Sequence, residues 1–345
     1  MERPLRTTTT CRAVKRGLLS ATGTLAMTLA VLVVSAAPAW ADPAVPTNYE
    51  SRVTGLTPST NVAEFEVIGG DSFLQVTVSP GHEVLIPGYF DEPYVRIDAD
   101  GSVWLNEDSP ASYINLDRYG NADISEGVDG QDEPRWRLVG RDGRYAWHDH
   151  RTHWMSPDPP PVVSGGERQL VFPWELPVVV DGRETIIAGE LIWVPSVSPI
   201  PGLLAGVIAL LPLLAWKPGR SNVPALVAGS AALLAALIIL AETFATPADA
   251  RGFPVRIVYA GVALAAAVFA LIRSRSRPAM ASRATLFAAL TLLVWAVAAI
   301  ELLWLPILPS ALSEGMVRGG VGLVLWATLG VIAVSVADEV RRVRP

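Results

Sequence analysis

The chain predicts two parts in succession: an extracytoplasmic all-β antiparallel sandwich of immunoglobulin-like or cupredoxin-like type, then an α-helical transmembrane bundle of about five helices. Three observations predict it. The 345 residues are 51% hydrophobic with a mean hydropathy of +0.37, high for a soluble protein. Residues 42–198 are polar, rich in turn residues and free of lysine, and the rest of the chain is built from five apolar runs with short connections.

The first 41 residues carry Arg3, Arg6, Arg12, Lys15 and Arg16, an apolar stretch from Leu18 to Ala37, and Ala39-Trp40-Ala41 ahead of Asp42. That order reads as a secretory signal peptide cleaved after Ala41. The apolar stretch is also long enough to serve as an uncleaved anchor. Cys11, the sole cysteine, falls in this segment, so the mature chain is expected to have neither disulfide nor thiolate ligand.

Within 42–198, short alternating runs punctuated by turn residues predict strands. Val62–Ile68 and Ser72–Val78 flank Gly69-Gly70-Asp71 as one hairpin; Tyr94–Asp98 and Ser102–Leu105 flank Asp98-Ala-Asp-Gly101 as another. Pro173 to Trp193 supplies two more strands around Asp181-Gly182. Asp98 and Asp100 lack the further oxygen ligands of a calcium loop, so a hairpin turn is the better reading. Asp117 to Glu133, with Asp123, Glu126, Asp129 and Asp132, reads as a long acidic surface loop. The region holds 26 Asp and Glu against 10 Arg, a formal charge of −16 with neutral histidines. Such a field repels nucleic acid and favours cations or a basic extracytoplasmic protein partner, and it equally serves solubility.

The apolar runs extend from Pro199 to Trp216, Pro224 to Ala245, Ile257 to Ile272, Ala284 to Trp304 and Met316 to Ala337. Each is near the roughly 17 to 25 residues that cross a bilayer, so membrane lipid is the expected surroundings of residues 199–337. Lys217 and Arg220, then Arg273, Arg275, Arg277 and Arg283, then Arg341, Arg342 and Arg344 in the basic tail 338–345, follow alternate runs. Basic loops stay cytoplasmic, which places residues 42–198 outside a bacterial plasma membrane and the C-terminus inside. Glu242 and Glu301 lie near the outer ends of the second and fourth runs, with Arg256 and Arg318 at the same level. Interfacial ion pairs are one reading, an ion or proton path the other. Gly315-x-x-x-Gly319, with Gly320 and Gly322, predicts close helix packing.

Three of the four histidines sit within six positions in Tyr145-Ala-Trp-His-Asp-His-Arg-Thr-His-Trp-Met155. Neutral imidazole is a common metal ligand and thioether suits soft ions, so His148, His150, His153 and Met155 form a candidate transition-metal set. If residues 144–150 form a strand, His148 and His150 share a face about 6.6 Å apart, and His153 joins them only past a bulge. Met155 and the missing cysteines favour copper; zinc would need three histidines with Asp149 or Asp158. The competing reading is that the histidines hydrogen-bond a proline-rich loop while Trp147, Trp154 and Met155 pack it down. His82 is a more distant candidate for a fourth ligand. No Gly-x-Ser-x-Gly elbow, His-Glu-x-x-His helix or phosphate loop is present, so a non-enzymatic role is expected.

The Trp147-His-Asp-His-Arg-Thr-His-Trp-Met155 string, with Gly69-Gly-Asp-Ser-Phe73 and Pro159-Pro-Pro161, resembles a group of actinobacterial secreted-and-anchored membrane proteins, a likeness that implies no established activity. In architecture the chain is also similar to CopC-type copper-binding sandwiches and their membrane-bound CopD-type relatives, with Trp174 to Val194 in the place of the terminal strand pair. The copper expectation gains from that resemblance, but the chain departs from it. Asp181-Gly182-Arg183 stands where the pattern has Asp-Gly-His, no histidine follows Ala41, and the apolar runs contain none.

Overall fold

The structure is a computed structural model that describes residues 44–120, 124, 128, 130–218, 222–247 and 254–343. The expected signal peptide, together with Asp123, Glu126, Asp129, Arg220 and Arg344, lies outside the described residues.

Ten strands build an antiparallel β-sandwich: β1 (Tyr49–Thr57), β2 (Ala63–Ile68), β3 (Phe73–Val78), β4 (Val84–Pro87), β5 (Pro93–Ile97), β6 (Val103–Asn106), β7 (Trp136–Gly140), β8 (Arg144–Trp147), β9 (Gln169–Val180) and β10 (Arg183–Trp193). A seven-stranded sheet in the order β1-β10-β9-β4-β5-β6-β7 faces a three-stranded sheet, β2-β3-β8. Alternation makes this arrangement: Val84, Ile86, Val95, Ile97, Val103, Leu176, Val178 and Ile187 point inward from the large sheet against Leu74, Val76 and Trp147 of the small one. Burying each such side chain contributes about 1.5–3 kcal/mol. Trp174 crosses this core, its Nε1–H donating to Ser51 Oγ at 3.0 Å. Its ring lies on the backbone of Gly189, where a Cβ would stand 2.1 Å from the indole.

Both expected hairpins form. β2 and β3 pair from Ala63↔Val78 to Ile68↔Phe73, and the β5–β6 turn closes through Gly101 N–H to Asp98 O, with Gly101 at φ +82°. One turn thus uses the glycine's left-handed freedom, and the Asp100 side chain accepts the Ser102 N–H.

Successive strands reverse direction, so the β2–β3, β4–β5, β6–β7 and β8–β9 connections leave from one end of the sandwich. At that same end β1 starts and β10 finishes, with Tyr49 opposite Trp193. It faces the helices: Thr47 and Ile307 exchange backbone hydrogen bonds of 3.0 and 3.1 Å, and Val197 N–H reaches Trp304 O at 2.9 Å. Gly70 in the β2–β3 turn lies against Ile307.

A short helix, α1 (Ala111–Ile114), sits in the β6–β7 connection. The C-terminal part contains α2 (Ile200–Gly206) continuing as a 3₁₀ helix over Val207–Ala215, then α3 (Asn222–Ala245), α4 (Ile257–Arg273), α5 (Pro278–Ala298), a 3₁₀ turn over Ile300–Leu303, and α6 (Glu314–Val343). Three of these, α3, α5 and α6, are long and apolar enough to cross a membrane. The first run loses α-geometry around Pro212, which cannot donate an i→i−4 hydrogen bond. At 17 residues α4 is about 26 Å long. The fourth run is cut as well: α5 ends at Ala298, leaving Glu301 exposed in the 3₁₀ turn beyond it.

Among the α6 glycines the sequence singles out, Gly320 and Gly322 make close approaches, Gly320 to the Ile238 side chain; Gly315 and Gly319 face open space. A Cβ on Gly322 would stand 2.0 Å from the Gly202 carbonyl oxygen, so α2 and α6 meet backbone to backbone.

Candidate functional site

The histidine segment occupies the helix-facing end of the sandwich, but not as a strand. β8 stops at Trp147 because Asp149 turns the chain: its carboxylate accepts the Arg151 backbone N–H at 3.0 Å, and its carbonyl accepts Thr152 N–H at 2.9 Å. Such a side-chain-to-backbone bond competes with a sheet ladder and ends it. The same carboxylate takes Trp147 Nε1–H at 2.9 Å and a two-pronged guanidinium contact from Arg151, both arms 2.8 Å. Burial on its own would raise the Asp149 carboxyl; the hydrogen bonds and charge of Arg151, aided by Trp147, outweigh it and hold the group below its ordinary range. Both carboxylate oxygens of Asp149 are therefore engaged within the loop.

The three rings have different surroundings. His148 is 1% exposed and stacks on Phe73, ring centroids 4.2 Å apart. The His150 backbone N–H donates to the Tyr89 hydroxyl oxygen at 3.1 Å, and its ring Nε2–H donates to the Asp117 carbonyl at 2.9 Å. Tyr89 in turn hydrogen-bonds Asn115. His153 is 1% exposed, and its Nδ1–H donates to the Trp154 carbonyl at 3.2 Å. His150 and His153 stand edge to face, centroids 5.2 Å apart and planes at 84°; His148 is 6.4 Å from His153.

Tautomers follow from these bonds, because a carbonyl accepts only from N–H. His150 keeps its lone pair on Nδ1 and His153 on Nε2. The His153 Nε2 atom is buried and has no hydrogen-bond partner. Desolvation, with the nearby Arg118 charge, pushes His153 down to about 3 and lowers His150 too, so both rings are neutral at physiological pH. Met155 is partly exposed. A Cβ on Gly120 would lie 3.4 Å from both His150 Nδ1 and the Met155 methyl carbon Cε, so both side chains border the Gly120 backbone.

Sequence reasoning missed a buried ion pair at this end. Arg118 of the β6–β7 connection bonds Asp71 of the β2–β3 turn, both almost fully buried. Burial raises Asp71, and Arg118 offsets only part of that rise. The available signal was a single arginine inside an otherwise acidic stretch.

His82 lies at the other end of the sandwich, in the β3–β4 turn, bonded to Asp181 of the β9–β10 turn at 2.8 Å. It is therefore not a fourth partner for the histidine segment. Among the described residues no group of three or more His, Cys, Asp or Glu is arranged to hold a metal ion.

Near the junction with the helices, Glu242 is mostly buried and pairs with Arg256 at 2.8 Å. Arg318 does not bridge to Glu301. It pairs with Glu314 at 2.8 Å and donates to the Leu305 and Pro306 carbonyls, securing the loop on which the sandwich rests.

No family model matches the chain, and neither does any curated protein or solved structure.

Proposed function

We propose that this is a multi-pass protein of a bacterial plasma membrane whose extracytoplasmic sandwich binds one Cu(I) ion through His150, His153 and Met155. The observation that carries the reading is the bare, buried Nε2 of His153 beside a second imidazole whose outer nitrogen is likewise tied to a carbonyl. Metal-ligating histidines characteristically donate their other N–H to a carbonyl, which fixes tautomer and ring orientation. Two neutral imidazoles and a thioether suit soft Cu(I), whereas zinc wants a fourth donor, and Asp149 is held by Arg151. His148 packs on Phe73 and is left out of the ligand set.

Orientation rests on loop charge. Lys217, Arg273, Arg275, Arg277, Arg283, Arg341 and Arg342 all fall on one side if the two shorter apolar helices, Ile200–Ala215 and Ile257–Arg273, also cross. The sandwich then lies on the opposite, extracytoplasmic side. The protein would act by binding and handing on the ion, with no catalytic step.

The test uses the full chain in lipid nanodiscs, titrated with Cu(I) against a chromogenic Cu(I) chelator. One ion withheld per chain, with affinity falling at least about tenfold in His150→Ala and in Met155→Ala, is expected. Wild-type protein that yields all its copper to a micromolar competitor while its circular dichroism is native refutes the proposal.

A second reading, a protein-docking module in which the segment only orders a loop, draws on the mutual satisfaction of Trp147, Asp149, Arg151 and Thr152. Under it, His150→Ala lowers stability and leaves copper retention unchanged from wild type. An ion-coupled role for Glu242 and Glu301 has less support, since Glu242 is already paired with Arg256.

A further inference from the structure

The two ends of the sandwich differ in character. Every exposed large apolar side chain among its described residues belongs to the helix-facing end. Phe90 is in the β4–β5 connection, Leu116 and Tyr119 in β6–β7, Val162 in β8–β9 and Leu170 at the start of β9, with Phe90 65% and Val162 64% exposed. The turns at the far end are polar: Ser59, Thr60 and Asn61, then Ser79 and Glu83, Asp98 and Asp100, Arg141 and Asp142, and Asp181. Random surface leucines and phenylalanines need no explanation, but their confinement to one end of a domain does.

We infer that this end of the sandwich rests in the interfacial layer of the same bilayer that holds the helices, with Tyr119, Val162 and their neighbours dipping among the lipids. Position argues for lipid as the occupant. Thr47 and Val197, which bracket the sandwich, hydrogen-bond to the Trp304–Ile307 loop, so these side chains belong to the end of the sandwich that is joined to the apolar helices. Chemistry agrees, since an aromatic residue with a polar tip, such as Tyr119, favours the boundary between headgroups and acyl chains. The described arginines of this end are matched locally: Arg118 with Asp71, Arg151 with Asp149, Arg168 with Glu50 and Arg135 with Asp108. No basic patch is left to seek anionic headgroups, and the contact is apolar burial. The inference shares with the proposed function only the premise that the helical part spans a membrane; it does not require copper.

The test is lipid-borne quenching of a probe on the full chain. Cys11→Ser is combined with a single new cysteine at Val162→Cys or Tyr119→Cys, at Asp142→Cys in the far-end β7–β8 turn, or at the outward-facing Leu237→Cys of α3. Each is labelled with an environment-sensitive fluorophore in phosphatidylcholine nanodiscs with and without a nitroxide on the upper acyl chain. Probes at 162 and 119 are expected to be quenched at least about twofold more than the probe at 142, and shifted to the blue. Quenching at 162 and 119 no stronger than at 142, with the probe at 237 strongly quenched, overturns the inference and leaves the membrane reading intact. Loss of quenching at 237 as well overturns the membrane premise itself. Probes at 162 and 119 shielded from aqueous iodide but untouched by the nitroxide mark a protein neighbour, which also overturns a lipid contact.

Discussion

His148 lies flat on Phe73, with 4.2 Å between ring centroids and 29° between planes. The stack joins the first residue after β8 to the first residue of β3, and it separates the role of this histidine from that of the two that follow. Replacing His148 with Ala removes packing from a buried position and is expected to lower stability by about 2–4 kcal/mol. Copper retention per folded chain should stay within about threefold of wild type. Thermal unfolding alongside the chelator titration checks both, and a copper loss matching that of His150→Ala would make His148 a ligand.

The Asp149–Arg151 contact predicts a large cost for breaking it. Asp149→Ala leaves the guanidinium without its carboxylate and the Trp147 and Thr152 loop without its organiser, at about 3–5 kcal/mol. Asp149→Asn should cost less, because the amide oxygen can still accept one of these bonds. Urea unfolding of the sandwich followed by tryptophan fluorescence measures the order of the two.

Acid should loosen this end first. His153 is held neutral in the fold down to about 3, while an unfolded histidine takes a proton near its ordinary value of 6.5. Below 6.5 the unfolded chain binds more protons than the folded one, so stability falls as pH drops from 6.5 toward 3, by up to about 1.4 kcal/mol per pH unit. Asp149 acts in the same direction at the acid end: its depressed carboxyl contributes stability above the usual carboxylate range that is lost as pH falls through the lower folded value. His153→Leu should flatten the slope between pH 6.5 and 4. A slope identical to wild type would contradict the burial of His153.

Gly189→Ala tests the core. The new methyl group would meet the Trp174 indole, whose N–H is committed to Ser51. Overpacking at a well-filled site costs about 1–3 kcal/mol. The near-ultraviolet circular dichroism of the tryptophans should change with it, and an unchanged melting curve would show that Trp174 moves freely.

Much of the sandwich was legible because period-two alternation and glycine turns are local signals: the β2–β3 and β5–β6 hairpins follow from Phe65, Val67 and Gly69-Gly70, and from Val95, Ile97 and Gly101. The division into seven and three strands was not, since it depends on long-range pairing such as β1 with β10, which sets Tyr49 opposite Trp193. At the site, the spacing of His148, His150 and His153 predicted alternation on a strand. A single side chain, Asp149, undid it by capturing the next backbone N–H. In the helical half hydropathy marked every apolar run, yet it was blind to Pro212 and to the break at Ala298, because apolar character carries no information about backbone hydrogen bonds.

The sandwich is fastened at both of its chain ends to one short loop, through Thr47 with Ile307 and Val197 with Trp304, and Arg318 grips that loop from α6. A domain joined by a single strand swivels; one clamped at two points moves with its support. Any tilt of α5 or α6 is thereby passed through that loop to the end of the sandwich that carries His150 and His153.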